Sequence, residues 1–228
     1  MYIDIHTHKA LVENDDVLSV QSVYKDLVAV QDGWMCSVGL HPWYLERWES
    51  QLAMLADVVR NDNVLAVGEC GLDKVCDTPW QVQEVAFGKQ IDLANTVAKP
   101  LIIHCVRAYD EVRAMLRERK VAVPVVIHGY NKKGLVAERL LREGYYLSFG
   151  AALLYDGSPA AAALLSVPAE RFFLETDDSA IAIQDIYAKA AEIRKTSLND
   201  LILQVEQNFK RVLHDGYSMA LKDRTTDR

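Results

Sequence analysis

The chain has no run of about 18 apolar residues, so no membrane-spanning helix is expected among its 228 residues. Its first strand-like run begins at residue 2, and no secretory leader is expected ahead of it. Cysteine is scarce: the four, Cys36, Cys70, Cys76 and Cys105, form no CxxC pair. Three of them lie in apolar, strand-like runs, which favours free thiols in a reducing cytoplasm over disulfides or a zinc cluster. Basic residues are outnumbered, 25 against 32 acidic ones, and the net charge of −7 argues against a protein coated for tight duplex binding. That balance leaves open a small, locally basic site for a phosphate ester. Low-complexity stretches, interdomain linkers and repeats beyond strand–helix alternation are also missing. The expected organisation is one domain over residues 1–221 and a polar tail at 222–228.

What is present is an ordinary globular composition, 50% hydrophobic and 25% charged, able to build a sizeable core. Apolar and polar residues alternate from Tyr2 to His8. That spacing predicts a buried strand with Asp4, His6 and His8 on one face. Further strands are expected at residues 17–23, 34–40, 64–67, 101–103, 125–127, 145–149 and 171–174. Helical spacing marks residues 44–60, 109–119, 135–143, 183–195 and 198–213, with a short alanine-rich helix after Ser158-Pro159. Thr78, Pro79 and Gln81 form a capping-box pattern for a helix reaching about residue 98. Strands alternating with helices predict a parallel α/β sheet, most simply closed as a TIM (β/α)8 barrel with clipped early helices.

The chemistry-bearing side chains fall at the expected C-terminal ends of those strands. His6 and His8 end the first, His41 follows the third and Glu69 the fourth. His104 follows the fifth, His128 the sixth and Asp177 the eighth. In a barrel these ends share one rim, where the active sites of this fold occur. Six nitrogen and oxygen donors exceed what one tetrahedral ion takes, which favours two divalent ions sharing a carboxylate. Mixed histidine and carboxylate ligation suits zinc, magnesium or manganese.

Taken together, DIHTH (4–8), GLHPW (39–43), VGECGLD (67–73), PLIIHC (100–105), VIHGY (126–130) and LETD (174–177) resemble the TatD family of metal-dependent deoxyribonucleases, within the amidohydrolase-like superfamily. The resemblance covers nearly the whole chain. It implies a TIM barrel and exonuclease-like hydrolysis of DNA phosphodiesters by metal-activated water. It also implies that His6, His8 and Asp177 hold one ion and His104 and His128 the other, with Glu69 bridging. The chain departs from the family pattern in its rim loops. Arg107 stands three residues after His104, His128 is followed by Gly129-Tyr130-Asn131-Lys132-Lys133, and Asp177 by Asp178-Ser179.

Asp177 and Glu69 are therefore the expected catalytic residues, Asp177 orienting or deprotonating the attacking water. Arg107 and Lys132 are candidate phosphate contacts, with Lys74 and Lys133 nearby. Trp43, Tyr44 and Tyr130 are candidate stacking partners for bases or, equally, loop packing. His41 is a candidate substrate contact or a supporting group behind the ligands. Asp4 and Glu175 are expected to support the ligands from behind. The expected substrate is single-stranded DNA, with neither a membrane nor an obligate protein partner. An amidohydrolase- or lactonase-like enzyme acting on a small molecule is the alternative. It lacks the strand-four lysine that a carbamylated bridge would need, since glutamate stands there.

Overall fold

The computed structural model describes residues 1–10, 16–27, 30 and 34–213; the expected tail and His214 lie outside them. Eight strands follow one another in chain order in a single sheet: β1 (Tyr2–Thr7), β2 (Val17–Val23), β3 (Cys36–Val38), β4 (Val64–Asp73), β5 (Leu101–Val106), β6 (Val125–Ile127), β7 (Tyr146–Phe149) and β8 (Phe172–Leu174). A parallel bridge between Thr7 and Asp177 returns the end of β8 to β1. This is the α/β topology of a (β/α)8 barrel. The helices are α1 (Trp48–Val58), α2 (Trp80–Val97), α3 (Tyr109–Glu118), α4 (Gly134–Arg142), α5 (Pro159–Ser166), α6 (Ile183–Arg194) and α7 (Leu198–Val212). Among the described residues the first α-helix starts at Trp48. By contact density the chain divides into two units, residues 1–21 with 127–228, and residues 22–126.

In the first unit, β1 pairs in parallel with β2 through Tyr2↔Val17, Ile3↔Leu18 and Asp4↔Ser19. Strands β7 and β8 pair through Leu147↔Phe172 and Phe149↔Leu174. Ile3, Ile5, Leu147, Phe149, Phe172 and Phe173 are fully buried, and since successive strand residues face opposite sides, they fill both faces of this part of the sheet. The helix starts follow from local chemistry. Ser158 Oγ accepts from Ala160 N and Ser197 Oγ from Asp200 N, as their positions ahead of proline and an acidic first turn suggest. Helix α6 is pinned to β1 by Tyr187, whose hydroxyl accepts from Ile3 N and donates to Ile3 O, each at 3.0 Å. Tyr187→Phe strands both backbone groups and is expected to destabilise the protein by about 2 kcal/mol. The check is a lower urea midpoint at unchanged m-value; an unchanged midpoint contradicts the pinning role.

The second unit is organised on β4, buried along its whole length. Gly68 marks an apparent stop in the sequence, but the strand runs six residues beyond the expected Val67, to Asp73. Glu69 therefore lies within the strand rather than at its end, and His104 likewise lies inside β5. Close approach of the two strands demands Gly71. It stands opposite His104 in the register, has φ +145°, and a Cβ there would lie 2.0 Å from His104 O. The Thr78–Gln81 capping box does not form. Pro79 caps α2 without a side-chain bond, and Gln83, one turn further in, donates to Thr78 O instead. Gln83 also accepts from Asp73 N and donates to Asp73 O, and seven residues later Gln90 does the same for Leu40. Two buried amides thus complete the hydrogen bonding of strand-end backbone that lacks a ladder partner. All four cysteines are free thiols, those on β3, β4 and β5 buried.

Candidate metal centre

At the end of β1, His6 and His8 point their Nε2 atoms to the same place, 3.3 Å apart. Asp177 joins them: its Oδ1 is 3.2 Å from His8 Nε2 and 3.7 Å from His6 Nε2. The backbone explains why it can. Asp177 N donates to His6 O and His8 N donates to Asp177 O, both at 3.0 Å, so the residue is clamped across β1. Its φ of 53° is left-handed, a conformation aspartate tolerates, and it turns the carboxylate back over the strand. Ligands on one tetrahedral ion with bonds of about 2.1 Å sit about 3.4 Å apart. The observed edges of 3.2, 3.3 and 3.7 Å fit such an ion. His6 is fully buried, whereas the Asp177 side chain is 36% exposed and forms the open side of the group.

Two more carboxylates lie in the same unit as this group. Asp4 accepts from Thr176 N at 2.9 Å and shares a 2.6 Å hydrogen bond with Thr176 Oγ1, so it fixes the residue before Asp177. Burial raises its pKa to about 7 against the lowering effect of those two bonds. Glu175, fully buried, accepts from Gly129 N at 2.6 Å and lies 3.5 Å from His128 Nδ1. The carboxylate thus lies on the Nδ1 side of that ring, the side from which a ligating histidine is usually oriented. The rings of His6 and His128 are 4.3 Å apart.

The second unit brings Glu69, His104 and His41 together and adds a residue the sequence reading left out, Asp73. Glu69 Oε1 is 2.7 Å from His104 Nδ1 and 3.1 Å from His41 Nε2. His41 Nδ1 accepts from Trp43 N at 3.1 Å, so in the neutral ring Nε2 carries the proton and donates to Glu69. His41 thereby braces Glu69, and with Glu69 and His104 it forms a group whose donor atoms all lie within 4.8 Å of one another, close enough for one ion. Asp73 Oδ2 accepts from the Trp43 indole at 2.6 Å and lies 3.0 Å from His104 Nε2, while Oδ1 accepts from Val75 N at 2.7 Å. Burial pushes the Asp73 carboxyl up, but the hydrogen bonds from His104, Trp43 and Val75 together outweigh it and hold the pKa at about 2. The signal for Asp73 was there: Glu69, Gly71 and Asp73 recur every second residue, one face of a strand longer than expected.

The candidate substrate contacts sort differently. Arg107, in a left-handed conformation just past β5, and Lys132 are exposed. Lys74 is ion-paired with Glu111. Tyr130 is buried, its hydroxyl donating to Lys133 O and its ring edge-on to Phe149 at 5.8 Å, so of its two readings packing is the one the structure favours. Trp43, in contrast, is 51% exposed.

An α/β barrel with histidines and carboxylates gathered at strand ends defines a class, the metal-dependent hydrolases. Within it, the model of the TatD-related DNase family matches residues 6–214, and the chain belongs to that family. It is 34% identical over 191 residues to the 3'-5' ssDNA/RNA exonuclease TatD of Edwardsiella piscicida, covering 81% of this chain and 71% of that protein. It is 30% identical over 156 residues to the uncharacterised metal-dependent hydrolase YabD of Bacillus subtilis, covering 67% of this chain and 61% of that protein. The crystal structure of the Escherichia coli TatD homologue YjjV shares the fold, with a TM-score of 0.83 and 22% identity over 93% of this chain and 98% of that one. Among the described residues no helix is long and apolar enough to cross a membrane.

Proposed function

We propose that this chain is a cytoplasmic exonuclease of TatD type that removes nucleotides from single-stranded DNA, with two divalent ions drawn from zinc, magnesium and manganese. The observation that carries it is the triangle of His6 Nε2, His8 Nε2 and Asp177 Oδ1, with edges matching one tetrahedral ion. His6, His8 and Asp177 would hold one ion. His104 and His128 would hold the second, with Glu69 bridging, as the family resemblance implies. Divalent ions in such sites supply positive charge for the phosphoryl oxygens and lower the pKa of water.

The protein's own groups carry the remaining work. Asp177, the most exposed carboxylate of its group, orients the attacking water and accepts its proton. His41 and Asp73 keep Glu69 and His104 in place. Arg107 and Lys132 neutralise the phosphate at the rim. Cysteines that form no disulfide suit a reducing compartment.

The test is nucleotide release from labelled single strands by protein stripped with chelator and reloaded with each ion. Activity that vanishes on stripping and returns on reloading is the expected result. Release that persists without metal, or a loaded protein that opens lactones and leaves DNA intact, would overturn the reading.

A further inference from the structure

Beside the Glu69–His104 group, the second unit holds a groove of about 770 Å³ that none of the proposed chemistry uses. Trp43, Tyr44 and Trp48 form its aromatic walls, and Glu46, Glu49 and Asp77 are its charged lining residues; no lysine or arginine lines it among the described residues. Trp43 is the connection to the centre. Its indole N–H is tied to Asp73, its backbone N–H to His41, and its ring lies 6.4 Å from that of His104. A half-exposed indole in the groove's lining, fixed through its ring N–H and its backbone N–H, is ordered before binding and adds little further entropic cost, which is what a stacking platform requires.

The charge of the lining says what stacks there. Three carboxylates line the groove against one nearby cation, Lys25, whose ammonium lies 4.4 Å from the centre of the Tyr44 ring; the balance disfavours a phosphate, so the sugar–phosphate chain stays outside and a flat, uncharged ring goes in. Carboxylates accept hydrogen bonds. Cytosine, adenine and guanine offer exocyclic amino groups to them, as in the pairing of Glu or Asp with cytosine N4. Thymine and uracil offer one ring N–H between two carbonyl oxygens, which a carboxylate meets unfavourably. We infer that this groove is a nucleobase subsite for the unpaired base next to the scissile phosphate, and that it prefers amino-bearing bases over thymine and uracil. The assignment to a base next to a scissile bond rests on the nuclease reading; the chemistry of the groove does not.

Two measurements separate the two ideas. In metal-free, chelated protein, quenching of tryptophan fluorescence by the uncharged nucleosides deoxycytidine and thymidine reads the groove alone. Deoxycytidine is expected to bind on the order of tenfold more tightly, Trp48→Ala to weaken both, and Glu49→Gln to erode the preference. In metal-loaded protein, single strands ending in dC are expected to be trimmed faster than those ending in dT by a similar factor, with Glu49→Gln/Asp77→Asn bringing the ratio toward one. Equal binding of the two nucleosides, quenching by spermidine in place of either, or a dC/dT ratio indifferent to the groove variants would overturn the subsite. Selective nucleoside binding in a protein that hydrolyses no DNA would sink the nuclease reading and leave the base site standing. If Trp48→Ala does not fold, the surface variant Glu49→Gln carries the test by itself.

Discussion

Asp177→Asn is expected to reduce nucleotide release by about 10³-fold and metal affinity by at least about 100-fold while leaving the fold intact. Asparagine keeps the shape of aspartate and tolerates the left-handed conformation that residue 177 adopts at φ 53°. The two backbone bonds to β1 therefore survive, and far-ultraviolet dichroism and the thermal midpoint should barely move. What is lost is the negative charge at Oδ1, 3.2 Å from His8 Nε2 and 3.7 Å from His6 Nε2. Without it two neutral imidazoles are left to hold a dication, and no carboxylate remains on the open side to take a proton from water. Calorimetric titration with manganese or zinc measures the first loss, and single-turnover release of labelled nucleotide the second. Activity within tenfold of the unmodified protein would remove Asp177 from both roles.

Much of this was readable from the chain because the informative side chains sit in strands, where period two fixes which residues share a face. DIHTH alone placed His6 and His8 together, and the structure brings Asp177 to them across 170 positions. Elsewhere geometry overrides the local signals. Gly68 and Gly71 look like breakers, yet they let β4 run six residues further against β5, and Asp73 was hidden in that extension. Gln83 and Gln90 look like solvent-facing polar positions on a helix. Both are buried, because strand-end backbone needs partners that no apolar pattern reveals. For His41, sequence supplied a histidine after a strand but no hydrogen; only the Trp43 N–H at its Nδ1 makes it a donor to Glu69. Trp43, open to either stacking or packing from sequence, is the exposed wall of a groove.

Asp73→Asn tests how the Glu69–His104 group is held, by a count of hydrogen-bond donors. Oδ2 takes the Trp43 indole N–H and His104 Nε2, and Oδ1 takes Val75 N–H. All three partners approach as donors, which only a carboxylate, with acceptors on both oxygens, can satisfy. Asparagine has one acceptor oxygen, and its amide group must face a donor in either rotamer. A buried donor left unsatisfied costs about 1–3 kcal/mol. More consequentially, the ionised carboxylate now assigns the proton of His104 to Nε2, which leaves Nδ1, 2.7 Å from Glu69 Oε1, as the nitrogen turned toward a cation. The variant weakens that assignment, and affinity for the ion held by His104 is expected to fall by about 10–100-fold, as for other carboxylates behind ligating histidines. Nitrogen-15 NMR of the imidazole reports the tautomer directly: protonation at Nε2 in the unmodified protein, a mixture or reversal in the variant. A variant with unchanged tautomer and unchanged metal affinity would reduce Asp73 to an anchor for Trp43 and the loop at Val75, and its cost would then appear in the unfolding midpoint alone.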